Sequence, residues 1–206
     1  MDWTSIYLKT SNLNIFILGT GEVASRRANR FLDHGACVKL AGNSISDDLV
    51  KKGAVLCSTD DVDELVRWAD LVVVASADEK LSRYVGDISK EKLVNRADFP
   101  RKGNVIVPTS FSIGDVEISI FTNGKSPLMA RQLRKKIQSV IGDEDILEIE
   151  LQDYARLKLK SVVGSQKDRK KVLYSIFNDL NVDEFIRNRD VDGAKNYIDE
   201  LVRGLN

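Results

Sequence analysis

The sequence is poor in the residues that would commit it to several familiar chemistries. It has two cysteines, three prolines, one histidine and 7% aromatic residues in 206 positions. So few prolines, with thirteen glycines, exclude collagen-like and proline-rich chains, and 43% hydrophobic with 30% charged residues excludes intrinsic disorder. The length then suits one principal domain with appendages. Net charge is missing too: 31 Lys plus Arg balance 31 Asp plus Glu, so no global field draws the chain to nucleic acid or an anionic membrane. The longest apolar run, Leu71 to Ala75, is five residues, against roughly 20 for a membrane-spanning helix. The start, Met1-Asp2-Trp3-Thr4-Ser5-Ile6-Tyr7-Leu8, lacks the basic region and small-residue cleavage site of a secretory signal, and the expected address is cytoplasmic.

Cys37 and Cys57 lie twenty residues apart, each in an apolar stretch that reads as a strand. That fits neither a disulfide framework nor a metal-ligand spacing, and two reduced core thiols are expected. His34 precedes Gly35 where a helix should end, so it reads as a helix cap or surface residue rather than a catalyst.

What is present is an alternation of short apolar runs and amphipathic segments, the rhythm of a parallel sheet with crossover helices. Strands are expected at Asn14 to Leu18, Cys37 to Ala41, Ala54 to Cys57, Leu71 to Ala75 and Lys92 to Asn95. Helices are expected at Glu22 to His34, Asp47 to Lys52 and Val62 to Ala69. Residues 1–108 thus read as a doubly wound α/β unit of Rossmann type. The pattern then turns antiparallel, with strands at Asn104 to Pro108, Phe111 to Ile113 and Val116 to Phe121 and a turn at Gly114-Asp115. Ser126-Pro127 offers an N-cap and a first-turn proline for a helix running to Ile141 and closed by Gly142, with Met129, Leu133, Ile137 and Val140 on one stripe. Residues 109–142 form this small region. Residues 143–206 read as all-helical: Ile146 to Leu159, Ser165 to Leu180, Asp183 to Arg187 and Asp192 to Val202.

Gly19-Thr20-Gly21-Glu22-Val23-Ala24 follows a strand and opens a helix, the setting in which Gly-x-Gly-x-x-Gly/Ala binds a dinucleotide. Gly19 permits the tight turn, Gly21 lets the backbone approach a pyrophosphate, and Ala24 lets helix and strand pack closely. A glycine turn that binds nothing, or that holds a methyl donor's adenosine, remains the competing reading. The acid usual about twenty residues on is missing, since strand two runs into Gly42-Asn43-Ser44. Asn43 and Ser44 can still hydrogen-bond a ribose, and no arginine follows to favour a 2′-phosphate, so NAD is the expected cofactor. Ser76 and Ala77, at the carboxyl end of strand four, are expected to flank the nicotinamide side. Charge is segregated locally: Lys125, Arg131, Arg134, Lys135 and Lys136 face no acid between Phe121 and Ile141, and six acids with no base follow from Asp143 to Asp153. Either these are solvated faces or intersubunit ion pairs worth little each, or Lys125, Arg131 and Arg134 hold a ligand with several carboxylates.

With Gly19 to Arg27, Asn95 to Asp98 and Lys125 to Arg134 in view, the chain resembles the siroheme synthase N-terminal family, the precorrin-2 dehydrogenases. Gly-Thr-Gly-Glu-Val-Ala-Ser-Arg-Arg at 19–27 is similar to the family's Gly-Gly-Gly-x-Val-Ala-x-x-Lys/Arg. Ser-Pro-Leu-Met-Ala-Arg-Gln-Leu-Arg at 126–134 is similar to its Thr-Ser-Pro-x-Leu-Ala-Arg-x-Leu-Arg. Thr20 and Lys125 depart from those patterns. The resemblance implies a Rossmann domain, a small dimerisation region and a helical C-terminal part. It also implies removal of hydride and a proton from precorrin-2, a tetrapyrrole with eight carboxylates, to give sirohydrochlorin and NADH, with no metal required. Asn95-Arg96-Ala97-Asp98 stands where the family has Asn-x-x-Asp, which assigns catalysis to Asp98 by resemblance. It gives Lys125, Ser126, Arg131 and Arg134 the substrate carboxylates. A homodimer is expected because strands 104–121 carry apolar faces and exposed edges; family members differ in metal insertion, and with His34 away from the expected cleft weak or no metal-inserting activity is expected.

Two other readings compete. A regulatory dinucleotide-sensing module shares the glycine turn but typically keeps the acid that Gly42-Asn43-Ser44 lacks. DNA binding by Arg156, Lys158, Lys160, Lys167, Arg169, Lys170 and Lys171 is opposed by the acids interspersed among them.

Overall fold

The structure is a computed structural model and describes residues 3–205, so Met1 and Asp2 of the segment read for a signal lie outside the described residues. The chain divides into two compact units, Met1–Val107 and Pro108–Asn206.

The first unit is a five-stranded parallel sheet, ordered β3-β2-β1-β4-β5 and built from β1(Asn14–Leu18), β2(Cys37–Ala41), β3(Val55–Cys57), β4(Leu71–Val74) and β5(Leu93–Arg96). Its helices are α1(Glu22–Asp33), α2(Asp47–Lys51), α3(Val62–Trp68) and α4(Glu79–Ile88). Because side chains alternate across a strand, both faces of the central strands are apolar and each needs a cover. Ile15, Ile17, Leu71 and Val73 pack with Ala24, Ala28 and Phe31 of α1. Phe16, Leu18, Val72 and Val74 pack on the other side with Leu65 and Val66 of α3 and Val85 of α4. Burying side chains of this size contributes about 1.5–3 kcal/mol each, so β1 and β4 anchor the layer. The fold class is the one the sequence implies.

α4 is absent from the sequence-based expectation, although Asp78 caps it by accepting from the Leu81 amide at 3.0 Å. The expected strand Asn104 to Pro108 does not form. The Asn104 side chain does its work: Oδ1 accepts from the Val94 amide at 2.6 Å and Nδ2 donates to the Lys92 carbonyl at 2.7 Å, covering the open edge of β5. Val105 and Val107 then turn onto the core. The thiols also differ from expectation. Cys37 opens β2 exposed and Cys57 ends β3 half-buried; both are free, and neither is a core residue. His34 is the C-cap of α1, followed by Gly35 at φ +76°.

The second unit opens with an antiparallel pair, β6(Thr109–Ile113) and β7(Val116–Ile120), with Phe111 opposite Ile118. Helix α5(Pro127–Gln138) follows Ser126, whose hydroxyl accepts from the Met129 amide at 3.1 Å. It stops before Ile141, capped by Ser139, so Val140 falls beyond the expected stripe. Gly142 does not close α5; its amide donates to the Asp145 carboxylate at 2.7 Å and thereby opens α6(Asp143–Val162). The acids at the start of α6 suit the positive helix end, which is why it begins earlier than the apolar pattern suggests. With α7(Gln166–Phe177), α8(Leu180–Arg187) and α9(Val191–Arg203), α6 encloses a second core around Leu151, Ala155, Leu159, Ile176 and Ile198. Among the described residues no helix is long and apolar enough to cross a membrane.

Candidate functional site

In an open α/β sheet, ligands bind at the carboxyl ends of strands where the winding reverses. Here the reversal falls between β1 and β4, whose ends are in register at Leu18 and Val74. The chain turns sharply after Leu18. Gly19 has φ +111°, and a Cβ there would run into the Ala75 carbonyl; only glycine meets both demands.

Gly21 has the opposite character. It is exposed, a Cβ built on it meets nothing within 4 Å, and it is the N-cap of α1 with no side chain satisfying the free amides. An uncapped helix start beneath open space offers unsatisfied N–H donors and the positive end of a helix dipole, the means by which such turns hold a diphosphate. Glu22 and Val23 begin the helix, both exposed. Thr20 leans over the end of β2: a Cβ on Gly42 would lie 2.6 Å from its Cγ2. Asn43 and Ser44 follow, exposed. Across the reversal, the Ser76 hydroxyl accepts from the Asp78 amide at 3.1 Å and its carbonyl accepts from Ser82 at 3.3 Å, which holds the Ala75–Asp78 loop ahead of α4. Gly19, Thr20, Gly21, Glu22, Val23, Asn43, Ser44, Ser76 and Ala77 therefore share one edge of the sheet. These residues fit a dinucleotide.

Asp98 also belongs to that edge, since the amides of Ala97 and Asp98 donate to the Val74 carbonyl at 2.9 and 3.4 Å. Its carboxylate is gripped by Arg96, with Nε donating to Oδ1 at 2.8 Å and Nη2 to Oδ2 at 2.5 Å. Arg96, Gly86 and Gly103 carry no role in the sequence reading. The signal for them was a glycine inside a helix, at Gly86, which commonly marks a close approach. Asn95 donates through Nδ2 to the Val105 carbonyl at 2.9 Å, while its buried Oδ1 finds no partner among the described residues. On α1, burial, with the charges of Arg30 and Arg26, pushes the Arg27 guanidinium down to about 10.

The remaining candidates lie in the second unit. Ser126 is a helix cap held to Thr122, whose hydroxyl donates to the Ser126 carbonyl at 3.3 Å. Arg134 lies over the Phe111 ring at 5.2 Å, and its Nε donates to Gln138 at 3.3 Å. Lys125 and Arg131 are exposed. Within the chain, acids of the stretch after α5 pair elsewhere: Asp143 with Arg189, Glu150 with Lys195, and Asp153 with Arg156. The α5 cations have no ion pair with those three acids among the described residues: the acids go instead to α6 itself, to the loop after α8 and to α9.

A family model of NAD(P)-binding domains, NAD_binding_7, matches residues 6–109. A precorrin-2 dehydrogenase of Methanosarcina barkeri is 29% identical over 86% of this chain and 84% of its own length. A siroheme synthase of Mannheimia succiniciproducens is 24% identical over 95% of this chain, which spans 42% of that longer protein. In structure, the chain is similar to the precorrin-2 dehydrogenase SirC, with a TM-score of 0.78 over 98% of this chain and 100% of the other, at 21% identity; that likeness concerns the fold.

Proposed function

The chain belongs to the NAD(P)-binding family whose model spans residues 6–109, and from that premise we propose that it is an NAD-dependent oxidoreductase, a precorrin-2 dehydrogenase forming sirohydrochlorin. The observation that carries this is the open, uncapped glycine turn at the sheet's reversal point. The dehydrogenase similar over 86% of the chain supports the substrate.

NAD, when bound, supplies the hydride acceptor. Backbone amides from Gly19 to Val23 bind its diphosphate, Asn43 and Ser44 hydrogen-bond a ribose, and Ser76 with Ala77 borders the nicotinamide. Asp98 stands at the reacting ring, where an ionised carboxylate can accept the proton the substrate loses or fix the ring that reacts. Lys125, Ser126, Arg131 and Arg134 bind substrate carboxylates, for which arginine's planar fork is well suited. In this reading residues 1–108 are the NAD-binding domain, 109–142 the dimerisation region with the basic helix, and 143–206 a helical region. The working form is a homodimer, and the two free thiols suit a cytoplasmic address.

Mixing the protein with NAD and precorrin-2 should produce NADH absorbance in step with loss of precorrin-2. NAD binding without turnover would instead identify a sensing module. We also propose weak or no metal insertion; rapid insertion of iron into sirohydrochlorin without NAD would overturn that part.

A further inference from the structure

Arg96 ends β5 with 8% of its surface exposed, and a buried arginine implies a partner. The partner is Asp98, held at both oxygens. Room for the guanidinium comes from α4, where a Cβ on Gly86 would collide with Nη1, the far end of the Arg96 side chain. Gly103 lets its own backbone pass close to β5, since a Cβ there would lie 2.7 Å from the Val94 carbonyl oxygen and 2.9 Å from the Arg96 amide nitrogen. The fork occupies two of the roughly four lone-pair positions of a carboxylate, and the Asp98 side chain remains 22% exposed, so one side of it stays available. We propose that Arg96 is the positioning residue for Asp98: it fixes the carboxylate plane at the sheet's carboxyl edge while leaving one side of it free for the substrate. This rests on the reading of Asp98 and of the substrate given above.

Other charges near the pair do not replace Arg96. Asp87 of α4 acts on Arg96 from a distance and is itself held by Lys90, with Lys102 beyond. The Asp98 hydrogen bond is the largest influence keeping Arg96 protonated.

The test is kcat and KM for Arg96→Met, Arg96→Lys and Gly86→Ala, with thermal melts and NAD titrations alongside. In Arg96→Met kcat should fall about tenfold while KM for precorrin-2 and NAD affinity hold. Arg96→Lys, which restores charge without the fork, should recover turnover only in part. Gly86→Ala should displace the guanidinium and reproduce part of the loss of kcat even if Arg96→Met does not fold. In an Asp98→Asn background, Arg96→Met should cost no further turnover. If Asp98→Asn turns over normally, the reading of Asp98 itself fails. If Asp98→Asn is impaired while the Arg96 and Gly86 variants keep the native kcat and change only Tm, the pair is structural and this proposal is overturned.

Discussion

Thr20 sits where the related glycine turns carry a glycine, and Gly42 is what admits it. The Thr20 side chain lies against the end of β2, where a methyl on Gly42 would press on Cγ2 at 2.6 Å and Oγ1 at 2.9 Å. The two positions therefore form one steric unit. Gly42→Ala should destabilise the protein by about 1–3 kcal/mol, as overpacking does, and weaken NAD binding. Adding Thr20→Gly should return most of both, with a coupling of about 0.5–3 kcal/mol. Melts and NAD titrations of the two singles and the double measure it, and strictly additive effects would refute the unit. Asp98 predicts a different pattern. Asp98→Ala should lower kcat by about 10²-fold, the scale for loss of a general base, while NAD still binds.

Helix α5 separates two arginines that look equivalent in the sequence. Arg134 lies over the Phe111 ring, so Arg134→Ala removes packing and a cation–π contact of about 0.5–1 kcal/mol; it should lower Tm as well as raise KM for precorrin-2. Arg131 is exposed, and its replacement by Ala should raise KM alone. Equal melting shifts would contradict this. On α6, burial first, then Asp145 and Asp183, push the Glu148 carboxyl up. An acid raised on folding weakens the fold when ionised, and this cost disappears as pH falls through its folded value. Glu148→Gln should thus raise Tm at pH 7 and make no difference in acid, as calorimetry across pH can check.

At this scale the sequence was legible where pattern is local. The β1 turn and Gly21 announce themselves through glycine spacing, and β1, β2 and β4 through apolar runs. The segment at Asn104 misled because Val105 and Val107 alternate like a strand while Asn104 satisfies the edge through its side chain. Boundaries at Gly142 and Leu180 shifted because a polar group, Asp145 or Asp179, sets the helix start before any apolar residue does. The Arg96–Asp98 fork was hidden because it depends on Gly86 of a different element.

At the scale of the whole molecule, α5 is poorly covered by its own chain. Its buried residue is Ala130, whereas Leu128 is 65% exposed, Met129 47% and Leu133 37%. β6 and β7 form a two-stranded sheet, a unit that is marginal in isolation, with strand edges that invite pairing. Contiguous exposed apolar surface of this kind marks an interface, and a second copy supplies a matching surface by twofold symmetry. The protein should therefore be a homodimer at micromolar concentration, burying on the order of 800 Å² per partner. Leu128→Asp with Leu133→Asp should halve the mass in light scattering. NAD titration should be unchanged in that variant, because the proposed NAD contacts, from Gly19 to Ala77, all fall in the first unit. A native protein of monomeric mass would refute the dimer, and a halved mass with lost NAD binding would show that the nucleotide site depends on assembly.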